Sequence, residues 1–209
     1  DVYKRQGLGA VGMVMFKFDT ADHRSQVSNI SVAGLYSTNN SYYIVPFGRF
    51  YWGNNKHRAV IGGGFLNINH DVKYDEVDPS VHLVYTEAKS FMTLSYQYEV
   101  LKGWYAGLFY YRMKTRYKFM EGTDTENDFT KEFFEQNDIE DNVIASIGLI
   151  ISYDTRDYVY NPSKGWFFQI RPKYFRDWLG SNNDYVDTDY NLKYYHDLKN
   201  KKTFASALA

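Results

Sequence analysis

The chain has 209 residues, and 19% of them are aromatic, mainly tyrosine and phenylalanine, which favour β-strands. The absence of cysteine excludes a disulfide framework, a thiolate metal site and a cysteine nucleophile, and a net charge of −1 gives no global field for binding nucleic acid. A mean hydropathy of −0.53, with no run of about 18 apolar residues, excludes a transmembrane helix.

Alternation of apolar and polar residues predicts ten β-strands. In chain order they cover residues 7–18, 27–36, 41–52, 57–70, 90–100, 104–119, 143–155, 166–178, 185–198 and 203–209. Most of them reach the roughly 9–11 residues that a tilted membrane-spanning strand needs. Residues 1–6 resemble a translated adapter sequence and are left out of the fold. We expect residues 7–209 to form one outer-membrane β-barrel domain, truncated at both ends, from a protein with about 12–16 strands.

The strand over residues 104–119 has the clearest alternation. Its odd positions are apolar or aromatic except at Thr115, and they predict a lipid-facing set: Tyr105, Phe109, Tyr111 and Tyr117. Its even positions end in a cationic row, predicted to face the lumen: Arg112, Lys114, Arg116 and Lys118. This row is either a selectivity stripe of a channel or lumen filler that pairs with acidic residues of other strands, such as Glu99, Asp187 and Asp189.

Two kinds of connection alternate from residue 57 onward. Residues 102–103, 157–165 and 199–202 form short connections, whereas 71–80, 120–142 and 177–184 are longer and polar. Short turns on one rim and long loops on the other are typical of a transmembrane antiparallel β-barrel. A soluble antiparallel sheet also alternates, but predicted strands of up to 16 residues exceed the roughly 5–6 that are typical of soluble sheets.

Residues 121–141 carry nine acidic side chains and one lysine. This composition indicates a solvated extracellular loop that gathers divalent cations only weakly, with a short helix over residues 129–134. The five histidines are scattered, and no nucleotide-binding or nucleophile motif occurs. We therefore expect no metal, no cofactor and no enzymatic activity.

The segment 148–166 contains the most specific pattern, a strand ending in Tyr-Asp-Thr-Arg-Asp followed by a Pro-x-x-Gly turn. It resembles the signature of the bacterial surface antigen domain, the barrel of the BamA/TamA outer-membrane assembly superfamily. The matching residues are Tyr153, Asp154, Arg156, Asp157, Pro162 and Gly165. From the residues themselves, Asp154 and Arg156 share the lumen-facing parity and can pair, Pro162 fixes φ, and Gly165 permits a positive φ in the turn.

The resemblance implies an outer-membrane location and a role in inserting or translocating outer-membrane proteins or lipids. Implied partners are outer-membrane lipid, lipopolysaccharide and client outer-membrane proteins, but not nucleic acid. One alternative is a passive porin or structural surface-antigen barrel. The other is a soluble carbohydrate-binding β-protein.

Overall fold

The computed structural model describes residues 6–73, 82–119, 141–198 and 203–208, and these ranges contain ten β-strands. In chain order the strands are β1 (Gly7–Phe16), β2 (Ser28–Ser37), β3 (Tyr42–Trp52), β4 (His57–Lys73), β5 (His82–Leu101), β6 (Trp104–Phe119), β7 (Asn142–Asp154), β8 (Gly165–Phe175), β9 (Tyr185–Asp197) and β10 (Thr203–Leu208). A single 3-10 turn, Asp177–Leu179, follows β8. Within these ranges, no helix is long and apolar enough to cross a membrane.

The strands form one sheet in which each strand pairs antiparallel with the next, in the order β1 to β10. The all-β meander predicted from the sequence is therefore confirmed, as part of a transmembrane barrel. Three boundaries differ from the prediction by three residues or more. β5 begins at His82 rather than at residue 90, β4 ends at Lys73 rather than at residue 70, and β8 ends at Phe175, so that Trp178 lies in the 3-10 turn beyond it. The predicted helix at 129–134 and most of the acidic loop lie outside the described residues.

One face of the sheet is concave, because side chains from strands that are not neighbours meet on it. Arg58 of β4 contacts Asp154 of β7, and Ser152 of β7 donates a hydrogen bond to Gln97 of β5. These groups are polar and largely shielded from solvent. The concave face is thus the lumen side of the barrel wall.

The convex face is apolar and exposed. Ile61, Leu94, Leu108 and Leu149, on four consecutive strands, have 38–55% of their surface exposed. We call the exposed apolar band to which these residues belong the apolar belt. Paired aromatic rings border it at the end with the short turns: Trp52 with His57, Trp104 with Tyr153, and Trp166 with Tyr194. An exposed apolar band bordered by aromatic rings is typical of a membrane barrel, whereas a soluble sheet would cover this surface.

The prediction that Tyr105, Phe109, Tyr111 and Tyr117 face lipid is wrong. Tyr105 and Phe109 are 3% and 5% exposed, and they lie on the concave face. Tyr111 and Tyr117 share their parity, and the Tyr117 hydroxyl donates to Glu87. The lipid-facing side of β6 is instead the even one, with Trp104 and Leu108 exposed. Both faces of the lower half of β6 are apolar, so alternation alone did not identify the outer one.

The prediction that Arg112, Lys114, Arg116 and Lys118 line the lumen is wrong for the same reason. These residues share the parity of Leu108 and lie on the convex face, above the apolar belt. They do not pair with Asp187 and Asp189, which bind Lys173 and Arg171 on β8. We call these four residues the cationic column.

Candidate functional site: the concave face

A buried ion cluster joins distant strands at the short-turn end of the concave face. Asp154, the last residue of β7, accepts hydrogen bonds from Arg58 Nη1 at 2.8 Å and from Arg156 Nη2 at 3.0 Å, both at Oδ2. Its other oxygen accepts Arg156 Nε at 2.9 Å. The side chain of Asp154 is 2% exposed and each arginine side chain 10%. The structure therefore brings the motif residues Asp154 and Arg156 together, and it adds Arg58.

Aromatic rings cover the two arginines of this cluster. The guanidinium carbon of Arg58 lies 3.5 Å from the ring centroid of Tyr105, and that of Arg156 lies 4.3 Å from the centroid of Phe167. A cation above an aromatic face is attracted by the ring quadrupole, most strongly where water is excluded. Sequence reasoning missed this role, because an aromatic residue on an alternating strand fits lipid as well as a lumen cation.

A second ion cluster lies on the concave face of β8 and β9. Arg171 Nη2 lies 2.5 Å from Asp189 Oδ2, and Lys173 Nζ lies 2.5 Å from Asp187 and 2.8 Å from Asp189. The antiparallel register places Arg171 opposite Asp189 and Lys173 opposite Asp187. Opposite charges directly across a ladder stabilise that register.

Between the two clusters the concave face encloses a cavity of about 480 Å³. Among the described residues that line it, none is acidic and five are cationic: Arg49, Arg58, Arg156, Arg171 and Lys193. Of these cations, Arg58, Arg156 and Arg171 have an acidic partner in the two clusters. The cavity is therefore electropositive.

The β7–β8 connection is held by Asp157, the last acidic residue of the motif. Its carboxylate accepts the backbone N–H groups of Ser163 and Tyr158 at 2.9 and 3.0 Å, and the Ser163 hydroxyl. Burial by itself would raise the pKa of Asp157, but these hydrogen bonds lower it below its ordinary value. Gly165 ends the turn at φ +114°, where a Cβ would lie 2.5 Å from the oxygen of Thr155. The motif thus encodes a rigid turn that only glycine can close.

The same connection reaches across the lumen to β2. Gln26 accepts the N–H of Val159 at 3.2 Å and donates to the oxygen of Asp157 at 3.3 Å. The Tyr160 hydroxyl donates to the oxygen of Val27 at 3.1 Å. These residues are more than 130 positions apart, so no local sequence signal predicts the contact.

A second network closes the short-turn rim between the β1–β2 and β3–β4 connections. Asp22 accepts the backbone N–H groups of Ser25 and Asn54, both at 2.8 Å, and the Ser25 hydroxyl. Asn55 in turn donates to the Tyr105 hydroxyl at 3.1 Å. Burial opposes ionisation of Asp22, but the hydrogen bonds prevail and lower its pKa to about 2. The rim is therefore tied to the wall by a carboxylate that stays ionised.

The two remaining motif residues, Tyr153 and Pro162, lie outside the ion cluster of Asp154. Tyr153 lies on the convex face, where its ring packs 4.9 Å from that of Trp104. Pro162 lies in the turn that Asp157 organises. Within the described ranges, no group of three or more metal-ligating side chains is placed to hold an ion.

An apolar convex face, a polar concave face and charge clusters inside define the wall of an outer-membrane-type β-barrel. The sequence matches the Omp85 superfamily domain over residues 26–209, and the chain belongs to that family. It is also similar to the crystal structure of BamA from Haemophilus ducreyi lacking POTRA domains 1-3, with 17% sequence identity and a TM-score of 0.42. That match covers 97% of this chain and 39% of the BamA chain. No curated protein matches the sequence.

Proposed function

We infer that this protein inserts or translocates other outer-membrane components, most directly client β-barrel proteins, in the outer membrane of a bacterium. The observation that carries this proposal is the match to the Omp85 superfamily domain over residues 26–209. The proposed action is physical rather than enzymatic, because lowering the barrier to strand insertion needs no nucleophile or general base.

The uneven height of the apolar belt supports this mechanism. On β3 outward-facing apolar and aromatic residues extend from Tyr42 to Trp52, about 25 Å along the membrane normal for a strand tilted by about 40°. On β6 they extend only from Trp104 to Tyr110, about 15 Å, because Arg112 follows on the same face. A bilayer thins to match a short apolar span. Thinned lipid beside β6 would ease the insertion of a client strand.

The electropositive cavity favours a second candidate, a passive anion-selective barrel. The buried Arg58–Asp154–Arg156 cluster and the β7–β8 connection that reaches β2 both narrow the lumen at the short-turn end, which argues against free diffusion. Single-channel recording of the full-length protein in a planar bilayer separates the two. Steady, anion-selective conductance would favour the passive barrel.

Reconstitution tests the insertion role. The full-length protein is placed in liposomes with 14-carbon or 18-carbon acyl chains, and folding of an unfolded eight-stranded client barrel is followed by its heat-modifiable gel mobility. We expect faster client folding than in protein-free liposomes, with the larger ratio in the thicker bilayer, where spontaneous insertion is slower. Equal client folding rates with and without the protein, in both bilayers, would remove the proposal.

A further inference from the structure

The cationic column lies on the lipid-facing side of β6, directly above the apolar belt. Arg112 follows Tyr110 on the convex face, and the column ends at Lys118. Successive residues on one face of a strand are about 6.6 Å apart, so the column rises about 15 Å along the membrane normal. The longest connection, residues 120–141, lies at this end of the strands, whereas three of the five connections at the other end have only two to five residues, as in an outer-membrane barrel with its long loops outside the cell.

Membrane energetics fix the layer in which the column lies. A lysine or arginine on the lipid face is costly at the bilayer midplane, and the cost nearly vanishes at the interface. Four such residues in succession therefore place the column in the headgroup layer of the outer leaflet. The groups that meet it there are lipid headgroups.

Among the described residues, Asp141 is the acidic partner of the column, and it neutralises the charge of the column only in part. Asp141 accepts Lys114 Nζ and Arg116 Nε, both at 2.5 Å, and these bonds hold the pKa of Asp141 well below its ordinary value. Within the described ranges, Arg112 and Lys118 form no ion pair. The outward-facing residues beside the column on β5 and β7 are uncharged: Thr86, Ala88, Ser90, Met92, Val143 and Ala145.

We propose that the cationic column binds the phosphate groups of a phosphorylated glycolipid in the outer leaflet. Guanidinium groups bind phosphate oxygens with two parallel hydrogen bonds, and a column about 15 Å tall can engage more than one phosphate. Phosphates bound beside Arg112 would keep the headgroup layer closer to the bilayer midplane at the place where the apolar belt is shortest. The inference rests on the membrane placement of β6 and is independent of client insertion, so either can fail alone.

Titration with a defined lipid tests the site. The full-length protein, refolded free of lipid in a zwitterionic detergent, is mixed with bisphosphorylated lipid A, and bound lipid is counted by native mass spectrometry. The variant R112Q/K118Q removes the two cations that have no acidic partner among the described residues, and it leaves both Asp141 bonds in place. Its affinity for lipid A should fall about 30-fold. The matched control K56Q/K102Q removes the same charge from exposed positions on the opposite rim, and its affinity should stay within about twofold of wild type.

A variant that is expected to bind lipid A more tightly distinguishes loss of the binding site from a folding defect. D141N frees Lys114 and Arg116, so lipid A should bind about fivefold more tightly than to wild type. Equal losses in R112Q/K118Q and K56Q/K102Q, weaker binding by D141N, or equal binding of dephosphorylated lipid A would each overturn the proposal. Inorganic phosphate alone, bound with the same dependence on Arg112 and Lys118, would identify a free-anion site instead and would also overturn it.

Discussion

Arg58 and Asp154 lie 96 residues apart in the sequence, yet Arg58 Nη1 and Asp154 Oδ2 are 2.8 Å apart on the concave face. Arg58 is the second residue of β4 and Asp154 the last of β7, so the bond spans two intervening strands. Because Asp154 also binds Arg156, one carboxylate is the shared counter-ion of two largely buried guanidinium groups. Curvature of the wall and charge balance in the lumen depend on the same group.

Replacement of Asp154 should therefore lower the free energy of unfolding more than replacement of either arginine. D154A leaves Arg58 and Arg156 facing each other without a counter-ion, which should lower the free energy of unfolding by about 3–5 kcal/mol. R58A leaves Asp154 paired with Arg156 and should lower the free energy of unfolding by about 1–3 kcal/mol. Urea unfolding of the full-length protein in detergent micelles measures both values. Equal losses in D154A and R58A would contradict the shared role of Asp154.

Gly148 should tolerate no side chain. It lies opposite Phe109 in the β6–β7 register, and an added Cβ would lie 2.3 Å from the Phe109 ring and 2.2 Å from the oxygen of Pro172. Since both contacts are far inside van der Waals distance, G148A should destabilise the barrel by about 1–3 kcal/mol. The control G12A places a Cβ with no atom within 4 Å. Thermal unfolding followed by heat-modifiable gel mobility compares them, and a G148A barrel as stable as G12A would refute the packing of Phe109 on Gly148.

The short-turn rim should loosen in acid. The pKa of Asp22 is about 2 in the folded protein and 3.8 for a free aspartate, so the unfolded chain takes up the proton first. The stabilisation that Asp22 provides is complete above about pH 4 and is lost as the pH falls towards 2. Hydrogen exchange at the Ser25 and Asn54 amides should accelerate in that interval relative to the intrinsic rate. In D22N the exchange should be fast already at neutral pH. A wild-type rim that keeps its protection at pH 2 would contradict this assignment.

Much of the fold follows from the sequence, because a strand needs only local alternation to be recognised. Nine of the ten predicted strands begin within one residue of their observed starts. The exception is β5, where residues 84–89 mix polar and apolar side chains on both faces. The turn formed by Asp157 and Gly165 was also predictable, because its contacts are local.

The side of β6 that meets lipid was not predictable. In its lower half Trp104 and Leu108 alternate with Tyr105 and Phe109, so both faces are apolar. The upper half of β6 extends beyond the apolar belt. Its outward-facing cations therefore show the same alternation in the sequence as a row of lumen-facing cations. Only contacts with distant strands decide between the faces. The stacking of Tyr105 on Arg58 is such a contact.

The most direct test asks which of two adjacent β6 residues touches lipid. Residues 1–209 contain no cysteine, so L108C and F109C each introduce one labelling position into this part of the protein. In liposomes, oxygen concentrates in the hydrocarbon core and a nickel chelate stays in water. The label at Leu108 should be relaxed strongly by oxygen and hardly by nickel, and the label at Phe109 should lack this oxygen sensitivity. Strong oxygen relaxation at Phe109 with a protected Leu108 would contradict the assignment of the convex face to lipid.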